Sequence, residues 1–341
     1  MIAGERKRKF EMTNRERFQA LMNFQPFDRL PVMEWASWWD KTIERWKKEG
    51  LPEDLGREEI NDYFGMDRYV QVWISPYRKT YQEISSGLAH GEGLVKDIKD
   101  YQKIREHLYP QNPFDRELLS RLQEEQKRGE TVLWITLEGF FWFPRKLFGI
   151  ERHLYAFYDQ PELMKLMNQD LLEFHLRVFK EISKICIPDF LTFAEDLSYN
   201  HGPMISRKLF EEFLAPYYLK LVPFIKEKGT IPFVDSDGNI EEVIPWFLDV
   251  GIDGFLPLER QAGIDVVKLR RKYPRIRLIG GYDKRVLMQD ENAMKKEFEY
   301  LLPVAKEGGY IISVDHQTPP EVSFANYKTY LKLFNMIARS L

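Results

Sequence analysis

Two stretches decide the fold: Phe190-Leu191-Thr192-Phe193-Ala194-Glu195-Asp196, and Thr230-Ile231-Pro232-Phe233-Val234-Asp235-Ser236-Asp237-Gly238. Each is a short run that is apolar on both faces, as in strands buried on both sides of a parallel sheet. Each ends abruptly in acids. The 207–228 stretch between them reads as helix, with Ser206 as its N-cap. Strand, helix and strand in this order form a parallel βαβ unit.

The unit recurs outward in both directions. Upstream, a strand at 131–137 ends at Glu138, and helices fill 140–185 with breaks near Gly149 and Pro161. Downstream, strands at 254–258, 277–279 and 310–314 end near Glu259, Asp283 and Asp315-His316. Helical stretches near 240–249, 264–272, 291–305 and 323–340 separate them. Thr13 and Glu16 frame the start of a first helix as a capping box. Residues 30–35 read as the first strand, and residues 68–96 as a hairpin excursion outside the repeat. With one more strand within 50–110, the count approaches eight. The expectation is therefore a (β/α)₈ TIM barrel with an N-terminal helical and hairpin excursion, rather than a doubly wound sheet.

Composition bounds the function. The 341 residues carry a net charge of −3, with 44% hydrophobic and 30% charged residues, as in ordinary globular proteins. No basic stripe suits nucleic acid, and no apolar run is long enough to span a membrane. The single cysteine, Cys186, excludes a disulfide framework and fits a cytoplasmic setting. No export signal follows the charged Glu5-Arg6-Lys7-Arg8-Lys9, so residues 1–12 read as a basic tail on one domain spanning 1–341. Neither a G-x-G-x-x-G nor a P-loop motif follows any strand, so no nucleotide site is expected.

A parallel barrel gathers all its strand ends on one rim, where such barrels place their active sites. Glu34, Glu138, Glu195, Asp196, Asp235, Asp237, Glu259, Asp283 and Asp315 would meet there. Crowded carboxylates need a cation, a proton or hydrogen-bond donors; the alternative for each is to cap the following helix. His316, beside Asp315, can bind a metal or move a proton. Asp235, Asp237, Glu259 and His316 form a candidate metal set, oxygen-rich with one nitrogen, suited to Mg²⁺, Mn²⁺, Fe²⁺ or Zn²⁺. His316, Asp196, Glu195 and Asp283 are the candidate catalytic residues. Glu34, Trp35, Glu138, Arg145, Tyr199 and Arg285 are the candidate substrate-binding residues. Arg260 and Lys284 are weaker anion ligands, His201 is a weaker second histidine, and His90, His107, His153 and His175 read as surface or packing residues. Tryptophans at 35, 38, 39, 46 and 73 pack a core or wall a flat ligand. A glycosidase with paired carboxylates and a non-catalytic binding barrel are alternatives.

Several motifs resemble the uroporphyrinogen decarboxylase superfamily. They are Asn14-Arg15-Glu16-Arg17-Phe18, Asp28-Arg29-Leu30-Pro31-Val32, Gly202-Pro203-Met204-Ile205-Ser206 with Phe210 and Pro216-Tyr217, and Gly280-Gly281-Tyr282-Asp283-Lys284-Arg285. Gly308-Gly309-Tyr310 through Asp315-His316 to Pro319-Pro320, with Asn326-Tyr327, completes the set. The resemblance implies a (β/α)₈ barrel and either porphyrinogen decarboxylation or cobalamin-dependent methyl transfer. The decarboxylases carry R-Q-A-G-R after the first strand to grip substrate acids. Here Glu34-Trp35-Ala36-Ser37-Trp38-Trp39 has no arginine, and its acid would repel a polyacidic tetrapyrrole. The methyltransferases bind zinc through H-x-C and a later cysteine, where this chain has Asp235-Ser236-Asp237 and, near the later position, His316. The sequence is most similar to decarboxylase-like proteins associated with demethylation. That implies a small methylated substrate, a corrinoid carried by a partner protein, a divalent metal, and a homodimer; decarboxylation of a pyrrolic or other carboxylated substrate is the alternative.

Overall fold

The computed structural model describes residues 11–78 and 91–340. Seven strands form one parallel sheet: β1 (Tyr69–Ile74), β2 (Val132–Glu138), β3 (Phe190–Ala194), β4 (Ile231–Asp235), β5 (Gly254–Leu256), β6 (Arg277–Tyr282) and β7 (Tyr310–Val314). Their spatial order is their sequence order, so each crossover steps to the next strand and the sheet curls into a TIM-type barrel. β2 is buried along its whole length, which is why its sequence is continuously apolar up to Glu138.

Two expectations about the strands need correction. The Tyr69–Ile74 segment is no excursion: it pairs in parallel with β2, Gln71 opposite Trp134 and Trp73 opposite Thr136. Its alternation sorts Tyr69, Gln71 and Trp73 toward the barrel's inside. The rest of the expected hairpin, at 79–90 and including His90, lies outside the described residues, as do residues 1–10 of the expected tail. Residues 30–35 occupy the eighth position but form no strand. Pro31 has no N–H to give a ladder, and side chains take over. The Asp67 N–H bonds Val32 O at 2.8 Å, and the Val32 N–H bonds the Asp67 carboxylate at 2.9 Å. On the other edge, the Trp35 N–H bonds Ser313 Oγ at 3.1 Å. Glu34 Oε2 accepts from Ser313 Oγ at 2.6 Å and from the Val314 N–H at 2.9 Å. Tyr330 Oη donates to Glu34 Oε1 at 2.8 Å. This carboxylate stands where a neighbouring strand's carbonyl would, and burial pushes its pKa up to about 7.

The expected helix at 207–228 is two helices, Arg207–Phe213 and Ala215–Glu227, breaking at Leu214 shortly before Pro216. The capping box at Thr13 and Glu16 is present. The N-terminal motifs sit at the barrel's other end. Arg17, 1% exposed, bonds Asp28 at 2.8 Å, and Arg29 grips Asp67 with both terminal nitrogens at 2.7 and 2.6 Å. Asp189 there accepts from Arg15 Nε at 2.7 Å, Gln126 Nε2 at 2.8 Å and the Leu133 N–H at 2.9 Å. These motif residues close the base of the barrel. Mid-barrel, Gln71, Thr136, Thr192 and Trp134 join in one hydrogen-bond chain, each link 2.8 Å.

Candidate active site at the barrel rim

The loops after β4, β5 and β7 converge. After Asp235 the chain turns through Gly238 (φ +80), where a Cβ would lie 2.7 Å from the Tyr199 backbone. The Gly238 N–H bonds Glu259 Oε2 at 2.8 Å, fixing the β5 loop against the β4 loop. Asp315, fully buried, accepts from the Arg260 N–H at 2.9 Å and the Lys284 N–H at 3.0 Å. One carboxylate thus ties the loops after β5, β6 and β7, and burial pushes its pKa up to about 6.

Held this way, His316 Nε2 lies 3.5 Å from Asp237 Oδ2. Asp237, Glu259 and His316 each offer one ligand atom, all within 4.8 Å of one another. Their oxygen, oxygen and nitrogen donors fit a hard or borderline divalent ion. Lys284 Nζ, 3.7 Å from Glu259 Oε1, already brings one positive charge. The bond to Asp237 holds the His316 pKa above its ordinary value, against opposition from burial and Lys284.

Asp196 stands behind this trio. Its Oδ1 accepts from the Asp237 N–H at 3.2 Å, and its backbone adopts φ +40, a conformation uncommon outside glycine. Burial, then the nearby Asp237 charge, pushes its carboxyl up to about 6. Asp235 is raised well above the usual range by burial and by Asp196 and Asp237. Its side chain points into a cavity of about 400 Å³ that opens beside His316. Trp35, Trp38, Tyr69, Trp73 and Trp134 supply the cavity's rings, Glu34 and Asp235 its carboxylates; no lysine or arginine among the described residues lines it. The Trp35 ring meets His316 edge-on at 6.2 Å and anchors through Nε1 to Val314 O at 2.6 Å.

So the structure brings together Asp196, Asp235, Asp237, Glu259, His316, Glu34 and Trp35. Asp235, at the end of β4 and two residues before Asp237, faces the cavity and lies outside the three-donor cluster. Other candidates are engaged elsewhere. Glu195, fully buried, accepts the N–H groups of Phe140 (2.9 Å), Phe141 (2.7 Å) and Trp142 (3.1 Å), plus the Tyr218 hydroxyl. It anchors the start of the helix Trp142–Phe148, not a reacting group. Asp283 and Arg285 satisfy each other: Arg285 N, Nε and a terminal nitrogen all reach Asp283 oxygens, the last at 2.6 Å. Asp283 therefore caps the 3₁₀ turn Lys284–Met288 and is neither a free base nor partner to a free guanidinium. Glu138 Oε1 accepts from Lys146 Nζ at 2.8 Å. The Arg145 guanidinium, only 4% exposed, bonds Asp196 O at 3.2 Å and lies over the Trp142 ring. Tyr199 is half-exposed on a small antiparallel ribbon of Ser198–Tyr199 and Gly202–Pro203, beside His201.

Sequence reasoning missed Gln71, Asn61 and Gln317 on the cavity wall and Lys146 beside Glu138. The signal for Gln71 was a polar residue between Tyr69 and Trp73 on one face of a strand, legible once β1 is read as a barrel strand. His153 packs between Phe141 and Phe157 with neither ring nitrogen hydrogen-bonded among the described residues, and burial pushes its pKa down to about 3. In the unfolded chain it would protonate near 6.5, so its contribution to stability is present above that pH and lost as pH falls from about 6.5 toward 3. His153→Phe should hold or raise stability at neutral pH by about 1 kcal/mol, with a larger gain at pH 5. Urea denaturation at the two pH values checks this; a loss of stability at both would show that the ring's polarity is needed.

Residues 94–336 match the family model of uroporphyrinogen decarboxylase (URO-D). Curated uroporphyrinogen decarboxylases from three strains of Campylobacter jejuni are 26% identical over 184 residues, 52% of this chain and 49% of theirs. The chain thus spans about half the length of the curated relatives it matches. Among solved structures, a methyltransferase from Methanosarcina mazei superposes with a TM-score of 0.68 at 16% identity, covering 96% of this chain and 99% of that one. At that identity the likeness establishes the shared fold. No helix among the described residues is long and apolar enough to cross a membrane.

Proposed function

The chain belongs to the uroporphyrinogen decarboxylase family, and from that premise we propose that it is a methyltransferase or demethylase. It takes a methyl group from a small methylated compound and passes it to a corrinoid on a partner protein. One observation carries this reading: the Asp237, Glu259 and His316 donors stand at the mouth of an aromatic, acidic cavity that no lysine or arginine among the described residues lines. A carboxylate-rich pyrrolic substrate would meet the acids Glu34 and Asp235 there. A neutral or cationic donor of a few heavy atoms suits the volume and the rings.

Asp237, Glu259 and His316 would hold a divalent metal, which would polarise the heteroatom that the methyl group leaves. Asp237 Oδ2, 3.5 Å from His316 Nε2, orients the imidazole so that the two side chains face the same ion. Asp196, through the Asp237 N–H, holds the β4 loop in this pose. The tryptophans exclude water from the transferable methyl group. The Campylobacter relatives favour a second reading, decarboxylation of a carboxylated pyrrole. Arg145, buried near the rim, is held against Asp196 O and Trp142.

The test is a methyl-transfer assay. The protein, supplied with Zn²⁺, Mg²⁺, Mn²⁺ or Fe²⁺, is mixed with reduced cobalamin and methoxylated or N-methylated small molecules, and the corrinoid spectrum is followed. Metal-dependent methylation with at least one donor is expected. No methylation with any donor, together with decarboxylation of uroporphyrinogen, would establish the second reading instead.

A further inference from the structure

We propose that the group seated in the rim cavity is a methylated ammonium, a tertiary or quaternary amine headgroup. The inference rests on reading this cavity as the methyl-donor pocket, and it names the donor's chemical class.

Three features of the lining converge. First, five rings (Trp35, Trp38, Tyr69, Trp73 and Trp134) contribute to one cavity of about 400 Å³. Aromatic faces attract a diffuse cation through the ring quadrupole, and clustered rings recognise quaternary ammonium groups in this way. Second, among the described residues the acidic side chains of the lining are Glu34 and Asp235, and no lysine or arginine joins them. Glu34 is engaged by Ser313, Val314 and Tyr330, but the Asp235 carboxylate has no hydrogen bond or ion pair among the described residues. A carboxylate facing a cavity without a partner is stabilised by a cation entering that cavity. Third, Trp73, although a large apolar ring, is 52% exposed at the mouth. A bulky methylated headgroup would cover it.

Other ligand classes meet only part of this set. An anion finds no lysine or arginine among the described residues of the lining. A neutral methoxylated ring gains the aromatic contacts but leaves Asp235 unpaired. A primary ammonium would pair with Asp235, but its strong hydration makes it a poorer match to five rings. A methylated ammonium spreads its charge over methyl surfaces and satisfies both rings and acid.

Binding, measured without corrinoid or turnover, separates this inference from the wider proposal. Isothermal titration with choline, with its neutral carbon isostere 3,3-dimethylbutan-1-ol, and with 3-methoxybenzoate provides the three arms. Choline should bind at least about tenfold more tightly than the isostere. Trp73→Leu and Asp235→Asn should each weaken choline about tenfold while leaving the isostere nearly unchanged. Near-UV circular dichroism checks that both variants stay folded. Equal or tighter binding of the isostere, or choline binding untouched by both substitutions, would overturn the inference. If the methoxybenzoate alone binds and donates its methyl group, the donor-pocket reading stands and the cation reading falls. If choline binds as expected but no donor methylates cobalamin, the cation site stands and the methyl-transfer reading falls.

Discussion

The Glu195→Ala variant is expected to lose about 4–6 kcal/mol of unfolding free energy, since each buried donor stripped of its acceptor costs about 1–3 kcal/mol. The carboxylate serves four donors at once: three consecutive backbone N–H groups at 140–142 and the Tyr218 hydroxyl. The segment packs tightly against the carboxylate. A Cβ on Gly139 would lie 2.2 Å from the Glu195 carboxyl carbon. Burial pushes the Glu195 pKa up to about 7 despite its donors, so desolvation is the dominant influence on it. Glu195→Gln keeps one acceptor and should lose roughly half as much. Chemical denaturation followed by tryptophan fluorescence reads both. A catalytic Glu195 would behave in the opposite way: the glutamine variant would keep its stability and lose turnover. The geometry predicts a variant that is fragile yet active per folded molecule.

His316→Ala carries the largest expected effect on activity, a fall in kcat/KM of about 10²–10⁴. The imidazole is partly exposed, and its polar contacts are to Asp237 and the surrounding charges, so stability should change by less than about 1 kcal/mol. Bound divalent metal should fall in parallel with activity, while Asp283→Asn leaves it intact, because Asp283 is committed to Arg285. Full metal retention with unchanged turnover in His316→Ala would remove the residue from the site. Asp237→Asn gives a finer reading. Asp237 is the main cause of the raised His316 pKa, so its neutralisation should let the ring deprotonate at lower pH. A metal donor must be the neutral imidazole, which is present above the ring's pKa and lost as pH falls through it. The acid limb of the metal-binding profile should therefore move to lower pH in the variant. Imidazole resonances followed by NMR in metal-free protein check the shift directly.

Much of the barrel could be read from the chain because parallel strands buried on both faces have few sequence solutions. Runs such as Phe190–Ala194 and Tyr310–Val314 leave little alternative to a central strand. Where one face meets a cavity, the pattern changes. β1 alternates aliphatic residues with Tyr69, Gln71 and Trp73, a period-two signature that equally describes a hairpin. The acids at strand ends located the rim but not their individual tasks. Glu195 and Asp283 occupy the same kind of position as Asp196 and Glu259. Only the distance to particular backbone amides separates a helix anchor from a ligand, and those amides belong to other loops. Asp237, Glu259 and His316 come from three separate crossovers, so their meeting depends on barrel curvature and on Asp315 tying the loops. Residues 30–35 failed as a strand for a related reason: their neighbours are fixed by Glu34 and Asp67 side chains, which no local pattern announces.

The eighth stave of this barrel is riveted rather than woven. A laddered strand keeps its place whatever its side chains are, but this one is held chiefly by two acids, one of which also forms part of the pocket wall. Tailoring the pocket at Glu34 and loosening the barrel's seam are consequently the same operation, and this wall cannot be redesigned for a new guest without refastening the cylinder.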